Sequence, residues 1–103
     1  MEEVKRQIES ALRRIAENCG FTLPDIYGSR RNTELVFIRL AIIDLLRSYG
    51  YTYREIGRII NRDKTVAIRG KERADALSSI GDNMYLKVRK IVERYLSFLH
   101  EGA

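Results

Sequence analysis

The sequence predicts an all-α fold, a compact bundle of about six helices that contains a helix-turn-helix. Three observations predict it. Apolar residues recur at three- and four-residue spacing through most of the chain. No stretch keeps the apolar/polar alternation of a half-buried strand. Gly20, Gly28, Gly50 and the link "SSIGDN" fall between the periodic segments, where helix ends belong. At 103 residues the chain has length for one core, so residues 1–103 are read as a single domain.

From Glu2 to Cys19, the residues Val4, Ile8, Ala11, Leu12, Ile15, Ala16 and Cys19 form one helical stripe, closed by Gly20 as a left-handed cap. Thr22 is placed to cap a short helix over Leu23 to Tyr27, with Pro24 tolerated in the first turn; Gly28 stops it, and "SRRNT" reads as an exposed basic loop. Thr33 is the expected N-cap of a helix running to about Tyr49 and apolar on most sides, the central helix of the bundle. Arg39 and Arg47 interrupt its apolar surface and are expected to emerge on one edge.

Thr52 and Glu55 form a capping box that starts a short helix ending near Ile60, with Ile56, Ile59 and Ile60 inward. Asn61-Arg62-Asp63 breaks the pattern, and Asp63 caps a further helix continuing to about Leu77. On that helix Ala67, Gly70 and Ala74 give a small inner face; an interior glycine costs up to ~1 kcal/mol relative to alanine, and close approach of a neighbouring helix is the expected return. Asp82 or Asn83 caps a last helix carrying Tyr85, Val88, Ile91, Val92, Tyr95, Leu96 and Leu99 on one face.

Composition narrows the function classes. With 45% hydrophobic and 32% charged residues the chain has too much apolar content to be disordered. The apolar run from Leu40 to Ile43 is cut at once by Asp44, so no membrane span is expected, and the Met-Glu-Glu opening predicts no secretory signal; the expected location is cytoplasmic. One cysteine, Cys19, and one histidine, His100, offer neither a disulfide nor a metal-ligand cluster. Cys19 reads as a small apolar residue and His100 as a frayed terminal one. No nucleophile, base and orienting group converge, so no catalytic activity, cofactor or metal is expected.

The charge is +5 overall, and its location is informative. Between Arg54 and Arg73 stand seven basic residues (Arg54, Arg58, Arg62, Lys64, Arg69, Lys71, Arg73) against three acidic ones (Glu55, Asp63, Glu72). A short capped helix, a three-residue break and a longer helix opening with polar and small residues is the layout of a helix-turn-helix, whose second helix enters the major groove of DNA. Lys64 has donors for guanine O6 and N7, Thr65 donates or accepts, the Val66 methyls suit a thymine methyl, and Asp63 accepts from cytosine N4 or caps the helix.

The same residues resemble a family. "TYREIGRIINRDKT" resembles the "SLPEIG…GRDHTT" signature in the C-terminal DNA-binding domain of DnaA, the bacterial chromosomal replication initiator. "ALRRIAENCGFTLPDIYGSRR" looks like that domain's opening helix, short helix and basic loop, and "LVFIRLAIIDLLR" looks like its "ARPRQIAMYLAR" helix. The resemblance spans Val4 to about Leu77. It implies that Arg31, with Arg30 beside it, enters the minor groove, that Arg39 and Arg47 hold phosphates, and that Asp63, Lys64, Thr65 and Val66 face the major groove. Arg58, Arg62 and Arg69 complete the expected phosphate set.

Departures fall where sequence is read. Lys64 replaces a histidine, Val66 a threonine, Leu40 a glutamine and Ile38 a proline, so the resemblance implies double-stranded DNA binding with altered or relaxed preference. No Gly-x-x-x-x-Gly-Lys-Ser/Thr loop occurs, so no nucleotide partner is expected and the chain reads as a stand-alone relative of the DNA-binding module or a small regulator. Two alternatives stand beside this reading: a protein-interaction adaptor that kept the fold and uses Tyr85, Tyr95 and Phe98 of the last helix, and a homodimeric regulator similar to the Trp repressor.

Overall fold

The structure, a computed structural model, describes residues 2–101. Six helices follow in order: α1 (Glu2–Asn18), α2 (Leu23–Tyr27), α3 (Thr33–Ser48), α4 (Tyr53–Ile60), α5 (Lys64–Ser79) and α6 (Asn83–Glu101), with no strand among the described residues. The all-α architecture read from the apolar spacing is the one observed.

Helix α3 is the axis of the molecule. It packs against α2, α4, α5 and α6, and every residue from Phe37 to Leu46 is buried. A helix apolar nearly all round needs neighbours on every side. α1 closes the bundle against α2 and α6 through Ile8, Ala11, Leu12, Ile15 and Ala16, and Tyr85, Val88, Val92 and Leu96 are the core residues of α6.

The helix ends are set by side chains close to where the sequence puts them. Thr52 and Glu55 satisfy each other's backbone N–H groups, at 2.8 Å to the Glu55 carboxylate and 3.1 Å to the Thr52 hydroxyl. Asp82 accepts from the Tyr85 N–H at 2.9 Å. One cap is corrected: α3 is capped by Asn32, whose side-chain oxygen accepts from the N–H groups of Glu34 and Leu35 at 3.0 and 3.4 Å. Thr33 is the first helical residue. Either residue type serves as a cap, and Asn32 holds the extended ψ of 137° that the position needs.

Two further expectations are corrected. α5 runs two residues past Leu77, to Ser79. The ring of His100 stacks on Tyr49 at 5.4 Å between centroids, so the last turn of α6 lies on the end of α3. Cys19 behaves as expected of a small apolar residue: it is half-buried at the edge of the core, and burial, followed by the Glu34 charge, pushes its thiol pKa up.

Gly70 gives the close approach that its place on α5 suggested. A Cβ there would meet Ile43 Cδ1 at 2.5 Å, so α5 lies on α3 with no room for a side chain between them. The same face of α3 carries Asp44, buried and bonded on three sides: to Lys71 of α5 at 3.0 Å, to Arg89 of α6 at 2.9 Å and to the Tyr85 hydroxyl at 3.1 Å. Burial alone would raise the Asp44 pKa; the hydrogen bonds from Arg89 and Lys71 outweigh it and hold the carboxyl below its ordinary value. This single carboxylate ties α5 and α6 to the central helix.

Candidate nucleic-acid interface

The turn between α4 and α5 is built from three backbone features. Asn61 takes the left-handed conformation (φ 61°, ψ 46°), the role that glycine more often fills at a helix end. The N–H of Arg62 then returns to the Gly57 carbonyl at 2.7 Å and that of Asn61 to the Arg58 carbonyl at 3.3 Å, which closes α4 as a Schellman motif. Gly57 makes room for this. A Cβ at that position would stand 2.6 Å from the Arg62 carbonyl oxygen. Asp63 follows and accepts from the Val66 N–H at 2.9 Å, so α5 begins abruptly and its first side chains leave the turn in a fixed direction.

Those first side chains, Lys64, Thr65 and Val66, are all exposed, and Val66 has 41% of its surface open to solvent. Asp63 is exposed as well, but one of its oxygens is engaged as the cap. Arg69 is exposed on the next turn, whereas Lys71 is paired with Asp44 and Asp75.

The basic loop lies beside this turn because two arginines fasten it there. The last carbonyls of α2 have no intrahelical partner and need donors. Arg39 supplies four hydrogen bonds: Nε to Ile26 at 2.9 Å, Nη2 to Asp25 at 2.7 Å and Gly28 at 3.1 Å, and Nη1 to Arg30 at 2.8 Å. Arg62, from the turn, reaches the Tyr27 carbonyl at 2.7 Å and also bonds the Gly28 carbonyl. Asn61 adds a weaker bond to Tyr27 at 3.4 Å. The loop and the turn are thus one hydrogen-bonded unit.

This relocates two residues of the expected phosphate set. Arg39 does not emerge on an edge of α3: it is 9% exposed, with four of its five N–H donors bonded to backbone carbonyls. Burial, with the Arg62 charge, lowers its pKa, and Asp25 works in the other direction. Arg62 is half-buried and clamps the Tyr27 carbonyl and, with Arg39, that of Gly28. Both hold the loop instead of standing free in solvent.

The remaining arginines are exposed in different places. Arg30 pairs with Asp25 at 3.7 Å and lies over the Phe21 ring at 5.6 Å, while Arg31 next to it is exposed. Arg47 stacks on Tyr53 at 4.3 Å and donates to the Tyr51 carbonyl at 3.1 Å, which orients it at the C-terminal end of α3. Arg58 points elsewhere: it lines a broad groove of about 830 Å³ between α1 and α4, with Val4, Ile8, Tyr27 and Tyr51.

Between the loop and α5 lies a smaller groove of about 420 Å³, lined by Gly28, Ser29 and Arg31 on the loop side and by Val66, Gly70 and Arg73 on α5, with Arg39 and Arg62 also reaching it. It brings one base-edge candidate, Val66, and one minor-groove candidate, Arg31, to a common surface. Arg73 was missed as a site residue, although its spacing of three and seven from Gly70 and Val66 puts all three on one helix face. Asp44 was missed as a structural centre, because a lone acid after an apolar run gives no sign of which cations will reach it.

Compared with protein-family models, curated proteins and solved structures, the chain matches none. Among the described residues no helix is long and apolar enough to cross a membrane, and no group of three or more His, Cys, Asp or Glu side chains gathers to hold a metal ion.

Proposed function

We propose that this chain is a non-catalytic, double-stranded DNA-binding protein whose α4–turn–α5 unit acts as a helix-turn-helix of the kind it resembles in the C-terminal domain of the replication initiator DnaA. The start of α5 enters the major groove, where Lys64, Thr65 and Val66 meet base edges, and the 29–31 loop turns toward the adjacent minor groove through Arg31. Arg47 and Arg69 meet phosphates, with Arg58 at the margin. The biological setting follows the resemblance, control of replication or transcription, with altered or relaxed sequence preference because Lys64 and Val66 stand where the initiator has histidine and threonine.

One observation carries the reading. Arg62 and Asn61, in the turn from which α5 leaves, bond the Tyr27 and Gly28 carbonyls at the end of α2, from which the basic loop leaves, so two elements suited to neighbouring grooves start from one hydrogen-bonded junction. For the adaptor alternative, Tyr85 is fully buried and Tyr95 and Phe98 pack against the core, which leaves α6 without an outward aromatic face.

The test is a titration with a short duplex followed by backbone amide resonances. Residues 29–31 and 64–73 are expected to shift first and together, while the exposed face of α6 stays unmoved. Shifts confined to α6, or to the groove between α1 and α4, would contradict the reading.

A further inference from the structure

The groove between the basic loop and α5 has a property that reading of base edges does not use. Four arginines (Arg31, Arg39, Arg62 and Arg73) line it, and no carboxylate does. Arg39 and Arg62 are held in place by the carbonyls of residues 25–28, so their cations cannot swing out to bulk solvent. Arg31 and Arg73 are exposed and take part in no ion pair among the described residues. Ser29 adds a hydroxyl on the loop side. The like charges of Arg62 and Arg31 act on the Arg39 guanidinium in the same direction as its burial. Asp25 offsets part of the charge on Arg39 from outside the groove, but the groove's own lining is positive and carries no carboxylate. Fixed positive charge of this kind attracts a multivalent anion, and guanidinium forks match the oxygens of a phosphoryl group.

We propose that this groove is a seat for a phosphoryl group, gripped by the free forks of Arg31 and Arg73 and held in the field of the anchored Arg39 and Arg62. The seat takes a phosphoryl group either from a duplex backbone or from a free polyphosphate. It deepens the DNA-binding reading, yet it stands on the groove's own charges and is measurable without DNA.

The probe is inorganic tripolyphosphate, titrated into the full chain at low salt by calorimetry. The expected result is saturable one-to-one binding that Arg31→Gln and Arg73→Gln each weaken at least tenfold. The control Lys87→Gln/Lys90→Gln, which removes two exposed charges from α6, changes affinity less than twofold. Circular dichroism of each variant checks that the fold is kept; all four positions are exposed. Equal losses in the control and the groove variants would show diffuse charge attraction and overturn the seat, as would the absence of saturation. A competition with labelled duplex distinguishes the sources: displacement assigns the seat to a backbone phosphate, and simultaneous binding assigns it to a free anion. Tripolyphosphate binding with no duplex binding at all would leave the seat standing and overturn the DNA reading.

Discussion

At the scale of single residues the molecule separates charges that stand exposed from charges that build. Lys64 and Arg31 are exposed, and each has its own expected signature. Replacing Arg31 with alanine should weaken binding to any duplex and reduce the salt slope by about one, as for a lost phosphate-side cation. Lys64→Ala should instead change which duplex is preferred; equal weakening of all duplexes, measured by anisotropy, would remove its base-reading role. Arg39 belongs to the builders. Arg39→Lys keeps the charge but loses the planar fork that serves four carbonyls, and should cost about 2–3 kcal/mol in urea unfolding. Asp44→Asn removes the shared anion of Lys71 and Arg89 and should cost about 2–4 kcal/mol at neutral pH, less than a fully buried pair because both cations are partly solvated. Its pKa is lowered on folding, so this contribution is complete above the ordinary aspartate value of 3.8 and is lost as pH falls through the lower, folded value. The stability gap between the two proteins should therefore close in acid, and a gap that stays constant with pH would contradict the assignment.

At the scale of elements, the sharpest constraint is the turn between α4 and α5. Gly57→Ala places a methyl against backbone, where no rotamer change relieves the clash, and should destabilise by about 1–3 kcal/mol despite alanine's better helix propensity. A stabilised variant in thermal unfolding would mean the turn is looser than described. These elements were legible in the sequence where a local rule decides them. The Thr52–Glu55 box, the Asp63 cap and the small face of α5 each depend on residues within a few positions of one another. What was not legible depends on distant partners. Arg39 looks like an edge residue of a helix until α2 ends beside it with carbonyls in need of donors, and His100 looks frayed until α6 proves long enough to lie on Tyr49. The α3 cap is a different case: Asn32 and Thr33 are adjacent and both competent, so only the backbone conformation chooses.

At the scale of the whole molecule, α3 holds α5 through Gly70 and Asp44, while Arg39 and Arg62 hold the basic loop against the turn, so core and candidate interface share residues. The all-α class followed from local signals, the apolar spacing and the residues at helix ends; the joining of loop and turn did not, because hydrogen bonds such as Arg62 to Tyr27 span 35 positions of sequence. We propose that this surface binds duplex DNA. This is tested most directly by fluorescence anisotropy of labelled duplexes, one random and one carrying the initiator's element, titrated with the protein across a salt series. Binding to both duplexes is expected, with a slope of log affinity against log salt of about −3.6 if four phosphates are neutralised. No binding to either duplex at the lowest salt would contradict it.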